Sequence, residues 1–408
     1  MKLASIAILI CATISSAYSQ ATNTTPPDVV ASSTGNIRIE RLTTLELPWG
    51  MALLPDGRLL ITEKPGRLRI WANGRLSEPV QGVPKAYFRG TEEDQGGMLD
   101  VAIDPDFARN NLVYLSYVEA SEQQSPDQGE TGEARFGENM ETSDNIVRGG
   151  AVARGKLDGN QLRDVQVIWR QVPKTLGRGH FGNRLVFAPD GKLFITSGER
   201  MRFEPAQSLA SNLGKVVRIN SDGSIPTDNP FAGRANARGD IWSYGHRNML
   251  SMAFDPSGRL WVVEMGPRGG DELNLIERGK NYGWPIVSNG DNYNGSPIPD
   301  HPTRKDLQAP IRSWSPVISP SGALFYSGTL FPGWRGSLLA GGLSSMSLVR
   351  VTLDGDRVSF EEWIAMKRRI RDLIQMPDGA ILVIVDDKNG DLLRLTPADA
   401  SQTRAQQQ

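Results

Sequence analysis

The chain is nearly without cysteine: Cys11 alone represents the residue in 408 positions. It falls in a stretch laid out like an export signal, where Lys2 precedes an apolar run from Ile6 to Ile14 and Ala17-Tyr18-Ser19 sets small residues before a cut at Gln20. The expected mature chain has no thiol, which excludes disulfides, a cysteine nucleophile and a zinc–thiolate site. The apolar run is too short to span a bilayer as a permanent anchor. The expectation is an exported protein, periplasmic or secreted, with no stable membrane anchor. A formal net charge of -1 leaves no basic footprint for nucleic acid. No Gly-x-Gly-x-x-Gly follows a strand and opens a helix, which argues against a dinucleotide cofactor. Amphipathic helices of ordinary length are lacking too, so βαβ winding is not expected.

Turn residues, by contrast, are plentiful, with 43 Gly and 26 Pro and no low complexity. One unit recurs: an apolar strand, a turn carrying Pro with Asp or Gly, and a second apolar strand. It appears at Pro55-Asp56-Gly57, Pro105-Asp106, Pro189-Asp190-Gly191, Pro256-Ser257-Gly258, Pro320-Ser321-Gly322 and Pro377-Asp378-Gly379. The turn starts are 50, 84, 67, 64 and 57 residues apart, a fixed unit with variable insertions. Six antiparallel units of about four strands each that close on themselves make an all-β, six-bladed β-propeller; a β-sandwich accommodates six similar units poorly. The expected division is a signal peptide at 1–19, a flexible lead-in at 20–35, the propeller at 36–397 and a frayed tail at 398–408. The acidic, Gln- and Gly-rich stretch Glu119 to Val147 reads as a long surface loop, either a rim over the central pocket or a merely solvated insertion.

A propeller gathers loops from distant parts of the chain around its axis. Between Gly177 and Arg200, His180 sits on a connection with Gly177, Gly179 and Gly182, ahead of strands Leu185–Phe187 and Leu193–Thr196. Glycines there let backbone approach a ligand closely, although a loop histidine is more often satisfied by a carbonyl. Three further clusters stand out: Asp94-Gln95-Gly96-Gly97, Tyr244-Gly245-His246-Arg247-Asn248, and Glu264 through Glu272. The last joins a Gly266-Pro267 turn to Glu264, Asp271 and Glu272, oxygen donors of the kind calcium takes, without the spacing of an EF-hand. In Lys367-Arg368-Arg369-Ile370-Arg371-Asp372, arginines alternate beside an apolar strand, so Arg369 and Arg371 share a face and suit bidentate contact with carboxylates.

Taken in order, Gln95-Gly96-Gly97, His180-x-Gly182-x-Arg184, Gly245-His246-Arg247-Asn248, Gly266-Pro267-x-x-x-Asp271-Glu272 and Asn281-Tyr282-Gly283-Trp284 resemble the soluble quinoprotein sugar dehydrogenases. The closer resemblance is to their aldose sugar dehydrogenase branch, grouped also with sorbosone dehydrogenases, from about Leu47 to Leu395. It implies a six-bladed propeller that binds pyrroloquinoline quinone (PQQ) and calcium. By the resemblance His180 is the catalytic base, and Arg247 faces the quinone and its developing charge. Gln95, Asn248 and Tyr293 contact the cofactor or reacting centre, and Arg369 and Arg371 grip PQQ carboxylates. Gly266 and Pro267 offer carbonyls to the cofactor-bound calcium, while Glu272 and Tyr282, the latter through its carbonyl, hold a second, structural calcium. Two departures stand against the pattern: Gly179 replaces an aspartate before the histidine, and no lysine falls near Leu343-Ser344-Ser345-Met346.

The implied function is oxidation of the anomeric C1 hydroxyl of an aldose to the lactone by hydride transfer to PQQ, with electrons passed to an external acceptor, in a monomer or homodimer. A calcium-dependent propeller lactonase is the alternative enzyme, one with no need of the Arg369 and Arg371 pair. A non-catalytic binding propeller is the third reading, and it leaves His180, Arg247 and Gly266 without a task.

Overall fold

The computed structural model describes residues 29–91, 94–124 and 146–398. The signal stretch, most of the lead-in, most of the Glu119–Val147 insertion and nearly all of the tail lie outside the described residues. Six antiparallel sheets follow one another along the chain, as the repeat count predicts. Their innermost strands are Pro48–Leu53, Met98–Ile103, Gly182–Phe187, Asn248–Phe254, Pro320–Phe325 and Ile370–Gln375. Each touches the next, and the sixth touches the first, so the strands form a closed ring around an axis.

Closure comes from the N-terminal side of the chain. The strand Gly35–Glu46 pairs with Asn389–Pro397 and completes the sixth blade. Val29–Ser32, inside the segment expected to be a flexible lead-in, is also a strand and pairs with residues 35–38 as an added outer edge. That segment alternates a half-buried and a buried valine, enough apolar surface to dock. The described helices are short, Phe107–Asn110 and two 3-10 turns, and none is long and apolar enough to cross a membrane.

The blades are held by six apolar clusters, one at each interface between neighbours. The run Leu59-Leu60-Ile61 shows why the middle strands are apolar on both faces. Leu60 packs toward the second blade, while Leu59 and Ile61 pack toward the sixth. Alternation of side chains thus serves two interfaces at once, and each fully buried Leu or Ile contributes roughly 1.5–3 kcal/mol.

Five of the six recurring turns join the first strand of a blade to its second, as expected. Pro320-Ser321-Gly322 does not. It lies inside the innermost strand Pro320–Phe325, and residues 326–337 make the corresponding connection. Glycine is needed there because Asp372 occupies the space beside it: an added Cβ would overlap the Asp372 carboxylate and lie 2.8 Å from its Cα. All six innermost strands carry a register shift against the second strand near their start. Such bulges re-aim side chains, and here they turn residues of all six blades toward the axis at one end.

Gly322→Ala is expected to destabilise the fold by about 1–3 kcal/mol, the usual cost of overpacking a filled interior. Denaturant unfolding checks this; an unchanged midpoint would mean that the axis has room to spare.

Candidate active site

At the bulged end a cavity of about 420 Å³ opens on the axis. Trp49, Gln95, Phe181, Leu250, Arg369 and Arg371 line it, drawn from five blades or their connections. A smaller cleft adjoins it across Met265 and takes in Arg247, Gly266, Glu272 and Tyr282.

His180 is buried, 5% exposed, and sits in the left-handed region at φ 52°. A non-glycine residue persists in that region only where its surroundings fix it. Here its N–H donates to Gln95 Oε1 at 2.9 Å. Its loop is gripped through carbonyls: Gly177 accepts from Arg148 and Arg200, Gly179 from Arg200, and Leu176 from Arg202. The Arg200 guanidinium also lies 3.8 Å from the Phe181 ring centroid.

The imidazole is oriented by a residue to which the sequence reading gave no role. His180 Nδ1 lies 2.5 Å from Glu199 Oε1, and the other Glu199 oxygen accepts the Phe203 N–H at 2.8 Å. Glu199 therefore supplies the imidazole with a carboxylate partner although position 179 is glycine. With Nδ1–H donated to a carboxylate, the lone pair stands on Nε2. Burial and the Arg247 charge lower the His180 pKa to about 4, against the opposing pull of Glu199. At neutral pH the ring is a neutral base. Glu199 is itself held below the usual glutamate range: burial opposes this, and the bond to His180 prevails.

Arg247 spans the cleft. Its N–H donates to Glu264, its guanidinium donates to the Gly266 carbonyl at 2.8 Å, and Nη2 lies 3.3 Å from the Tyr293 hydroxyl. Tyr293 is half exposed at this edge, and the guanidinium lies 5.3 Å from the Trp284 ring centroid. His246 is structural, bonded to Ser243 and Glu264 and stacked on Tyr282 at 4.5 Å. Asn248 Oδ1 and Arg247 Nε are buried without a hydrogen-bond partner, the condition of polar groups waiting for a ligand.

Arg369 and Arg371 do converge, and they converge on Asp386. Each gives it two hydrogen bonds of 2.6–3.0 Å, one arginine per carboxylate oxygen. Burial would raise the Asp386 pKa, but Arg371 and Arg369 hold it at about 2. Each guanidinium keeps further N–H groups for another anion. Lys64 and Lys388 line the same cavity, so ammonium groups are present although none comes from the stretch Leu343–Met346.

The site suits an anionic, polar-edged cofactor such as PQQ: cations at one side, orphaned donor and acceptor atoms at the other. Calcium is supported less. Gly266 and the buried Pro267 offer backbone oxygens only, far short of the about six to eight that calcium takes, so an ion there needs oxygens from the cofactor. Glu272, expected at a second ion, is bonded to His301 at 2.9 Å and to Asn274 at 3.2 Å. The Tyr282 hydroxyl donates to the Leu275 carbonyl. Among the described residues no group of three His, Asp or Glu side chains is placed to hold a metal ion.

The family model described as Glucose / Sorbosone dehydrogenase matches residues 45–394. The chain is 40% identical over 362 residues to the aldose sugar dehydrogenase YliI of Escherichia coli, covering 86% of this chain and 91% of that one. The apo-form structure of the soluble aldose sugar dehydrogenase from Escherichia coli matches with a TM-score of 0.78 at 38% identity, over 89% of this chain and 100% of that one. Quinoprotein glucose dehydrogenase B of Acinetobacter calcoaceticus is 26% identical over 439 residues, covering 86% and 85% of the two chains. The PQQ-bound form of an aldose sugar dehydrogenase from Streptomyces coelicolor matches with a TM-score of 0.67 at 26% identity, over 91% and 99%.

Glu199→Gln is expected to lower turnover by about 100-fold, at the low end of what a positioned general base contributes. It should also move the acid limb of the pH–rate profile to lower pH than in the wild type, because the carboxylate that supports the protonated ring is gone. A pH series on wild type and variant checks both; an acid limb at the same pH in the two proteins would mean that His180 is not the titrating base.

Proposed function

This chain belongs to the glucose/sorbosone dehydrogenase family, and from that premise we propose that it is an exported, PQQ-dependent aldose sugar dehydrogenase. It would oxidise the anomeric hydroxyl to the lactone and pass electrons to an external acceptor. The observation that carries the reading is the neutral His180, held by Glu199 in a buried site beside a cationic cavity. When bound, PQQ supplies the quinone that accepts hydride, and a calcium ion beside it would polarise that quinone.

The protein's share is binding, orientation and proton transfer. His180 Nε2 takes the proton from the sugar's C1 hydroxyl, its ring kept in one tautomer by Glu199. Arg247, whose charge reaches His180, stands where negative charge develops. Arg369 and Arg371 bind carboxylates, already splayed by Asp386 into a fixed pair. Gln95 braces the His180 backbone, and Asn248 Oδ1, buried without a partner, would be left to the cofactor. Gly266 and Pro267 would give calcium their carbonyls, the Gly266 oxygen being shared with Arg247. A lactonase would have no use for two arginines fixed to receive carboxylates, and the dehydrogenase reading uses them.

The test is reconstitution. Mature protein stripped with chelator should reduce a dye with an aldose only after both PQQ and calcium are added, and a calcium titration should show how many ions bind. His180→Ala should lose at least about 100-fold in turnover and still bind PQQ. Lactone hydrolysis with calcium alone, and no response to PQQ, would replace this function with the hydrolase.

A further inference from the structure

Arg184 closes the motif His180-x-Gly182-x-Arg184, and no step above uses it. Its side chain is buried, 5% exposed, on the axis beneath the cavity. Nε donates to the Leu250 carbonyl at 2.7 Å, and Nη2 donates to the Arg371 carbonyl at 2.9 Å. Nη1 lies 3.0 Å from Asp372 Oδ1 and 3.2 Å from Asp100 Oδ1. The guanidinium carbon stands 4.2 Å from the Trp49 ring centroid. One residue of the third blade therefore touches the inner strands of the first, second, fourth and sixth.

Three of these partners, Trp49, Leu250 and Arg371, line the cavity above. The other two, Asp100 and Asp372, line with Arg184 a separate cavity of about 320 Å³ below. The carboxylates are themselves fixed, since Asp100 Oδ2 accepts the Leu185 N–H at 2.8 Å and Asp372 Oδ2 accepts the Met51 N–H at 2.9 Å. The bulged strands leave room for them only because Gly50 and Gly322 lack side chains: a Cβ on Gly50 would come to 2.5 Å from Asp100 Oδ1. Arginine suits the position because a planar fork serves several acceptors in its plane while its face stacks on an indole. Lysine offers a point charge and no face.

We propose that Arg184 is a positioning residue for the cavity: it sets where Trp49, Leu250 and Arg371 stand, and so sets the affinity for an anionic cofactor it never touches. The Arg371 carbonyl it holds belongs to the residue whose side chain pairs with Asp386. A small slide of this strand moves that guanidinium directly, and misplacements of about 1 Å are enough to cost a site dearly. The proposal rests on the quinone reading of the cavity for its ligand, and on geometry alone for the clamp.

Arg184→Lys tests it. Titration with PQQ and calcium, followed by protein fluorescence, should show affinity weakened by about 10- to 100-fold, a shift of the size expected of a misplaced contact. The ligand-free protein should stay folded with a lowered thermal midpoint, since lysine leaves some of the acceptors of the clamp unserved. If Arg184 acts through Arg371, the double variant Arg184→Lys/Arg371→Lys should bind no worse than Arg371→Lys alone. Hydrogen exchange on the ligand-free protein should quicken at Ile370–Gln375 and Met51 and stay unchanged in outer strands. Unaltered affinity would overturn the proposal, and losses that simply add would overturn the route through Arg371. Should the wild type bind no PQQ, the quinone reading falls, and exchange decides the clamp by itself: unchanged protection at Ile370–Gln375 sinks it. If Arg184→Lys does not fold, Asp372→Asn, which keeps the shape and weakens one partner, is read by the same measurements.

Discussion

The pairing of Gly35–Glu46 with Asn389–Pro397 is the contact on which the rest depends. No blade here covers its own faces; Leu59, Leu60 and Ile61 are buried only because a blade stands on either side. Were the ring open, two blades would each expose an apolar face, and the sixth sheet would keep a bare edge. Closure also defines the axis, and every residue of the site is placed by reference to it. His180, Arg247 and Arg371 are far apart in sequence and meet only in a closed ring.

With no cysteine among the described residues, the interior is tied by buried cations on backbone oxygens. Arg148, Arg200 and Arg202 take the carbonyls of Leu176, Gly177 and Gly179, and with them the loop that carries His180. Lys215 does the same further along the blade, donating to the carbonyls of Pro205, Ala206 and Leu213. Burial pushes its pKa well below the ordinary value, and charge-assisted bonds to three oxygens offset part of that cost. Such ties hold a loop without stiffening it into regular structure, which is what allows His180 its positive φ.

The fold was legible because a propeller writes its blade count into its turns. The one turn misread, Pro320-Ser321-Gly322, carries the right residues for a different reason: its glycine makes room for Asp372 rather than turning the chain. The site was legible as far as motifs reach: Gln95, Arg369 and Arg371 line the cavity, and His180 is buried next to its lining residues Phe181 and Gly182. Glu199 was within reach of pattern reasoning. The pairing of Gly182 with Ser197, continued outward, brings position 199 opposite position 180. What hid it is the register shift between Gly182 and Leu185, which offsets by one the count taken from the Pro189-Asp190-Gly191 turn. Asp386 was hidden differently, since only the return of the next strand reveals which carboxylate two alternating arginines will meet. Arg184 stood in a recognised motif, but its partners come from four other blades and no local pattern announces them.

The electrostatics of the site tie these parts together. His180 is a weak base in the protein by itself, because burial and Arg247 both disfavour its charged form. Arg247 shares two carbonyls and one hydroxyl with the cleft and keeps a buried Nε without a partner. An anionic group bound against Arg247 would offset the charge that weakens His180, so the imidazole would gain basicity when the cavity is filled. Arg369 and Arg371 work in the same direction from the far wall: their charge draws an anion in, while Asp386 keeps them from collapsing onto the wrong acceptor. A cavity built this way binds its anion with one set of cations and, by binding it, frees the base from another.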